Sequence, residues 1–102
     1  MEEVRLVKVR YSPESLRDLA NIYDYIAERN PDAASRVLAR VRAAIDLLSE
    51  FPRIGHAGRA PDTREWVVKG LPYIIVHELH DDELAILGVL HGAQDRDHLR
   101  RR

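Results

Sequence analysis

The stretch Arg64–Ala93, REWVVKGLPYIIVHELHDDELAILGVLHGA, decides how the rest of the chain is read. Tyr73-Ile74-Ile75-Val76 and Leu84 to Leu90 are short runs rich in apolar and β-branched residues, the composition of strands. Between them, His80-Asp81-Asp82-Glu83 is a polar break of the length that joins two antiparallel strands. Both runs are apolar at odd and even positions, so much of each strand expects cover on both faces. A lone hairpin does not stand in water, and the cover must come from the N-terminal half. A further strand is expected at Arg64–Lys69, with Arg64, Trp66 and Val68 on one face and Glu65, Val67 and Lys69 on the other. Gly70-Leu71-Pro72 then turns the chain into the hairpin.

Outward from that stretch, Val4–Tyr11 reads as a first strand with Val7, Val9 and Tyr11 on one face. Ser12-Pro13-Glu14 starts a helix: a capping hydroxyl, a proline suited to the first helical position, and a carboxylate at the positive end of the dipole. Its expected apolar stripe is Leu16, Leu19, Ala20, Tyr23, Ile26 and Ala27. Asn30-Pro31-Asp32 repeats the start signal, and the second stripe is Ala34, Val37, Leu38, Val41, Ile45 and Leu48. Phe51-Pro52 stops that helix, and Arg53–Thr63 is expected as a loop broken by Gly55, Gly58 and Pro61. The order is β-α-α-β-β-β in one domain spanning residues 1–102. The fold class is α+β, a helical hairpin packed on one face of a small antiparallel sheet.

The chain has 102 residues, 16 basic and 17 acidic, for a formal net charge of −1. That balance argues against a surface devoted to nucleic acid, which would carry a basic excess. The basic ending His98-Leu99-Arg100-Arg101-Arg102 reads as a solvated tail. Cysteine is absent, which excludes disulfides and thiolate metal sites and suits a reducing compartment. No apolar run reaches the roughly 18–20 residues that span a bilayer, and the charged N-terminus lacks a signal-peptide core. The expectation is a soluble, cytoplasmic protein with no membrane contact.

Two motifs invite chemistry and fail on spacing. His77-Glu78-Leu79-His80 evokes a zinc helix, but its histidines are three apart on an expected strand and point to opposite sides. The Gly55–Gly58 loop lacks the Gly-Lys-Ser/Thr ending and the preceding strand of a phosphate-binding loop. Neither a metal nor a cofactor is expected.

The ordered set of segments resembles the ParE/RelE superfamily of toxins. It is carried by Phe51-Pro52 followed by Gly55 and Gly58-Arg59, Arg64-Glu65-x-Val67-Val68, Leu71-Pro72-Tyr73-Ile74-Ile75-Val76, and Ile86-Leu87-Gly88-Val89-Leu90-His91-Gly92-Ala93-Gln94. The resemblance implies the toxin half of a type II toxin–antitoxin system, neutralised by a cognate antitoxin encoded by an adjacent gene. Operator DNA would be reached only through that antitoxin, and the complex would be a heterotetramer or larger. Within the superfamily, ParE-like members inhibit DNA gyrase and RelE-like members cut mRNA on the ribosome; the shared fold does not choose.

The two branches ask different things of the residues. Cleaving RNA through its own 2′-hydroxyl needs proton-transfer groups and a cation for the developing charge. Arg64 and His91 are the catalytic candidates for that case, with Glu65 a second proton carrier and Arg59 and Arg96 phosphate contacts. Gln94 stands where an arginine is frequent in the family, and Asp95 and Asp97 would repel RNA. These electrostatics favour the ParE-like branch, in which Arg59, Glu65, Gln94 and Arg96 become target-binding candidates. A non-toxic protein-binding module of the same fold is a third reading. The plainer alternatives are a surface Arg64 paired with Glu65 or Asp62, a structural His91, and core aromatics at Trp66 and Tyr73. Tyr23, Tyr25, Ile54, Trp66 and the exposed side of the first strand are the candidates for antitoxin binding.

Overall fold

The computed structural model describes residues 7–92. The elements run β1 (Lys8–Tyr11), α1 (Pro13–Ala27), α2 (Pro31–Glu50), β2 (His56–Ala57), β3 (Arg64–Val67), β4 (Tyr73–His80) and β5 (Glu83–His91). The strands form one sheet in the order β1-β5-β4-β3-β2, with the helix pair packed against it. The expected two-layer α+β architecture is therefore present, with two differences in the sheet. A two-residue strand within the expected loop pairs antiparallel with β3, and β1 pairs with β5 in parallel, so the sheet is mixed.

The helix starts follow the capping chemistry. Ser12 Oγ accepts from the Ser15 amide at 3.0 Å, and Asn30 Oδ1 accepts from the Ala33 amide at 3.0 Å. The Ser12 hydroxyl also donates to the Leu87 carbonyl at 3.0 Å, while its amide donates to the Ile86 carbonyl at 2.9 Å. These bonds account for the parallel pairing. The chain leaves β1 running along β5 and turns straight into α1, which continues beside the same edge. There Asp18 Oδ2 accepts from the Val89 amide at 2.9 Å, so a side chain of α1 takes over where β1 stops pairing. Gly88 permits that approach, since a Cβ at this position would stand 3.3 Å from the Asp18 carboxylate.

The core is built by α2 and the central strands. Val41, Ile45 and Leu48 pack with Val68, Tyr73, Ile75, Leu84, Ile86 and Val89, all buried. Each large aliphatic side chain in it contributes roughly 1.5–3 kcal/mol by leaving water. Val7, Val9 and Tyr11 of the first strand pack on this cluster, as their shared face implies; Val4–Leu6 lie outside the described residues.

On α1 the expected stripe holds in part: Leu19 packs on the core and Ile26 and Ala27 are half-buried, but Leu16, Ala20 and Tyr23 turn outward. Leu16 is 54% and Tyr23 38% exposed, whereas Ser15 is fully buried and Leu19 and Ile22 pack on the core. The helix is turned by about one residue because its inward face must present Asp18 to the β5 edge as well as apolar groups to the core.

β4 and β5 are joined by a two-residue turn, Asp81-Asp82, with Asp81 at φ 52°. Their register shifts once: Val76 pairs with Gly88 and His77 with Ile86, leaving Leu87 as the extra residue of a bulge. β3 is two residues shorter than expected, ending at Val67. Gly55 sits at φ +110°, and a Cβ there would meet the Glu65 carbonyl at 2.7 Å, so only glycine brings this loop down onto β3.

Candidate functional site

The polar residues singled out in the sequence are distributed by the sheet over three separate clefts. Strand alternation puts Arg64 and Trp66 on the helix side and Glu65 and Val67 on the other. Arg64 pairs with His77, whereas His91 pairs with Tyr73 four residues away on the same β4 strand. Four residues along a strand and two strand spacings across put their Cα atoms about 16 Å apart.

Around Arg64 the cleft is small, some 300 Å³, and lined by Arg53, Asp62, Leu79 and Asp81 as well. Two guanidinium groups face two carboxylates, and both aspartates adopt positive φ, 65° at Asp62 and 52° at Asp81. Asp62 is one of the two plain partners expected for Arg64. Beside it, His77 is fully buried and neither ring nitrogen has a hydrogen-bond partner. Burial, reinforced by the Arg64 guanidinium, holds its imidazole down at about 4, so it is neutral at physiological pH. His80, at the same strand's end, is exposed. The two histidines of the zinc-like motif thus lie in different environments, and no metal-binding group of side chains occurs among the described residues.

Arg59 and Glu65 do share a cleft, of about 220 Å³, on the sheet face away from the core. Its floor is Val76, Leu87, Gly88 and Leu90, and its rim includes Glu14 and Asp18 of α1. Glu65 is a buried carboxylate, 5% exposed. Among the described residues, three carboxylates and one guanidinium line this cleft, a negative balance that disfavours a nucleic-acid phosphate.

His91 lies in a third cleft, near 420 Å³, with Asp18, Asn21, Ile22, Tyr25, Tyr73 and Val89. Its ring meets Tyr73 edge to face, centroids 5.8 Å apart at 88°. Burial, and secondarily Tyr25, raises the Tyr73 hydroxyl above its ordinary pKa, so it keeps its proton. Among the described residues, no lysine or arginine lines this cleft.

The antitoxin candidates are dispersed too. Tyr23 and Tyr25 are exposed on α1, Ile54 belongs to an apolar patch with Phe51 and Pro52, and Trp66 packs on the core from β3. Gln94 and Arg96 lie outside the described residues. Sequence reasoning missed Asp18, which lines two of the clefts and caps the β5 edge. Its signal was a polar residue within the alternative stripe Ser15, Asp18, Leu19, Ile22, spaced as a helix face requires. It also missed Arg53 and Asp81, brought to Arg64 only by the loop and the hairpin turn.

Comparison with known proteins fits this architecture. Residues 9–96 match the family described as ParE toxin of type II toxin–antitoxin system, parDE. The chain is 42% identical over 87 residues to Y4kP, a candidate toxin of Sinorhizobium fredii, covering 85% of this chain and 90% of that protein. It is 35% identical over 89 residues to toxin RelE2 of Caulobacter vibrioides, covering 87% of this chain and 99% of that one. Among solved structures, a chromosomal ParDE toxin–antitoxin system from P. aeruginosa superposes with a TM-score of 0.76 at 18% identity, over 84% of this chain and 96% of that one. The RelBE2 toxin–antitoxin complex of Mycobacterium tuberculosis gives 0.59 at 24% identity, over 85% and 99%. At such identities the structural matches speak for the fold. The sequence matches carry more, and by them the chain belongs to the ParE toxin family, as a toxin of the ParE/RelE superfamily of type II toxin–antitoxin systems.

Proposed function

We propose that this toxin acts in the ParE-like manner, binding DNA gyrase without catalysis of its own, and that a cognate antitoxin from an adjacent gene holds it inactive in a larger complex. The observation that carries this reading is the separation of Arg64 from His91. General acid–base groups and charge-stabilising cations assist one phosphate only from hydrogen-bond reach, about 3 Å. Their Cα atoms lie about 16 Å apart and their side chains line different clefts, which supports separate roles. Among the described residues, no arginine or lysine lines the His91 cleft, and Arg59 shares its own with three carboxylates. The antitoxin is supported by the solved relatives, which are toxin–antitoxin systems.

The 35% identity to toxin RelE2 favours a second reading, a ribosome-dependent endoribonuclease. Purified toxin added to a gyrase supercoiling reaction separates them. Concentration-dependent loss of supercoiling, reversed by the antitoxin, is the expected result. Undisturbed supercoiling, with toxin that still arrests growth when expressed, would overturn the gyrase reading.

A further inference from the structure

We propose that residues 55–57, which include β2, form a proton-operated cover, closed over the His77 imidazole at neutral pH and lifted from β3 in acid while the core stays folded. His77 is fully buried, and neither ring nitrogen has a hydrogen-bond partner. A Cβ on Gly55 would stand 3.6 Å from its Nε2, so the backbone of the cover passes over that nitrogen. The cover is lightly fastened. β2 meets β3 through two residue pairs, His56 with Glu65 and Ala57 with Arg64, and both of its residues are exposed. On either side the chain is tied locally, by the Ile54 amide on the Phe51 carbonyl at 3.1 Å and the Gly58 amide on the Thr63 carbonyl at 2.7 Å. Neither bond has to break for the segment between them to lift.

The surroundings of His77 leave a proton on it badly placed. Arg64 is its direct neighbour across the β3–β4 pairing and meets it with a positive charge. β5 presents Ile86, and the next residues of β4 on the same face are Ile75 and Leu79. Glu65 and Glu78 alternate to the opposite face of the sheet. Asp62 and Asp81 share the cleft of Arg64 with Arg53, two carboxylates against two guanidinium groups. An imidazolium formed in place would therefore be buried beside a cation, with no acceptor for either N–H. Water is the acceptor it lacks, and the cover stands between the two. Burial and Arg64 hold the closed-state pKa at about 4, whereas an imidazole in water takes up its proton near 6.5, so acid favours the open form between those values. Short pairings of this kind open locally at less cost than the core. Lifting the cover strips β2 from Arg64 and Glu65 and leaves their backbone as a free sheet edge, the surface on which another chain adds a strand. The device works whether or not gyrase is the target.

The test is amide hydrogen exchange of the intact protein, read by NMR as protection factors at about pH 7 and about pH 4.5. Protection across the β2–β3 pairing should fall roughly tenfold or more between the two, and at both it should stay below that of Ile75 and Ile86 in the core. His77→Gln removes the titrating group and should make β2–β3 protection independent of pH over this range. Gly55→Ala, with His77 in place, puts a methyl 2.7 Å from the Glu65 carbonyl and should lower β2–β3 protection already at pH 7, with Ile75 and Ile86 still protected. Wild-type β2–β3 protection that is constant with pH, or that falls equally in His77→Gln, would overturn the proposal. So would β2–β3 protection as high as that of the core, since the segment would then open only by global unfolding.

Discussion

The two helices open alike and end up doing different work. Ser12-Pro13-Glu14 and Asn30-Pro31-Asp32 are the same start signal, and both helices carry apolar residues at three- and four-residue spacing. α2 places Ala34, Val41, Ile45 and Leu48 at 0–1% exposure against the sheet. Of α1, only Ser15 is fully buried, and Leu16 and Tyr25 are largely exposed. α2 is a roof over the strands, whereas α1 is a rail along the β5 edge that satisfies its backbone and borders two polar clefts. Amphipathicity predicts that a helix packs; it does not say which of two adjacent stripes faces inward.

The sharpest test of that contrast is a truncation under the roof. Ile45→Ala removes a side chain at the centre of the core and should cost about 2–5 kcal/mol in urea unfolding. A loss under about 1 kcal/mol would mean α2 is not the roof.

Next in size is the acid response of the core under that roof. The folded state holds His77 neutral down to about pH 4, while the unfolded chain takes up the proton near 6.5. Protons therefore favour the unfolded chain as pH falls. The His77 contribution is intact above about 6.5, declines between there and about 4, and levels off below. That interval corresponds to roughly 3 kcal/mol. Stability measured by denaturant across this range should show the decline, and His77→Leu should flatten it whatever the variant's absolute stability. A slope unchanged in His77→Leu would place the acid sensitivity elsewhere.

On α1, Asp18→Ala leaves the Val89 amide without its acceptor and should cost about 1–3 kcal/mol, with faster hydrogen exchange at Val89 in particular. Leu16→Ala, on the exposed side of the same helix, should stay within about 0.5 kcal/mol. If the order of these two were reversed, α1 would be packing through its Leu16 stripe after all.

Much of the architecture was legible because it depends on local chemistry. Caps, proline positions, the two-residue turn and the α2 stripe are each written in residues close in sequence. The rotation of α1 was not: the expected stripe shares Leu19 and Ile26 with the observed face, and only contact with β5 selects Ser15 and Ile22 over Leu16 and Tyr23 as their neighbours. Nor was the parallel direction of β1, since apolar alternation marks a strand's faces and not its neighbour. The candidate site suffered most. Arg64 and Glu65 are adjacent in sequence yet lie on opposite faces, and the distance from Arg64 to His91 is set by the register of three strands. Residue type nominates a catalytic pair, but register decides whether the pair exists.

That last point is tested most directly by adding purified toxin to a translating ribosome mixture and examining the mRNA ends, beside Arg64→Ala and His91→Ala variants. We expect intact transcripts with the wild-type toxin at concentrations that inhibit gyrase. Cleavage by the wild-type toxin that either substitution abolishes would contradict the separation of these two residues into independent sites, and with it a toxin that works by binding alone.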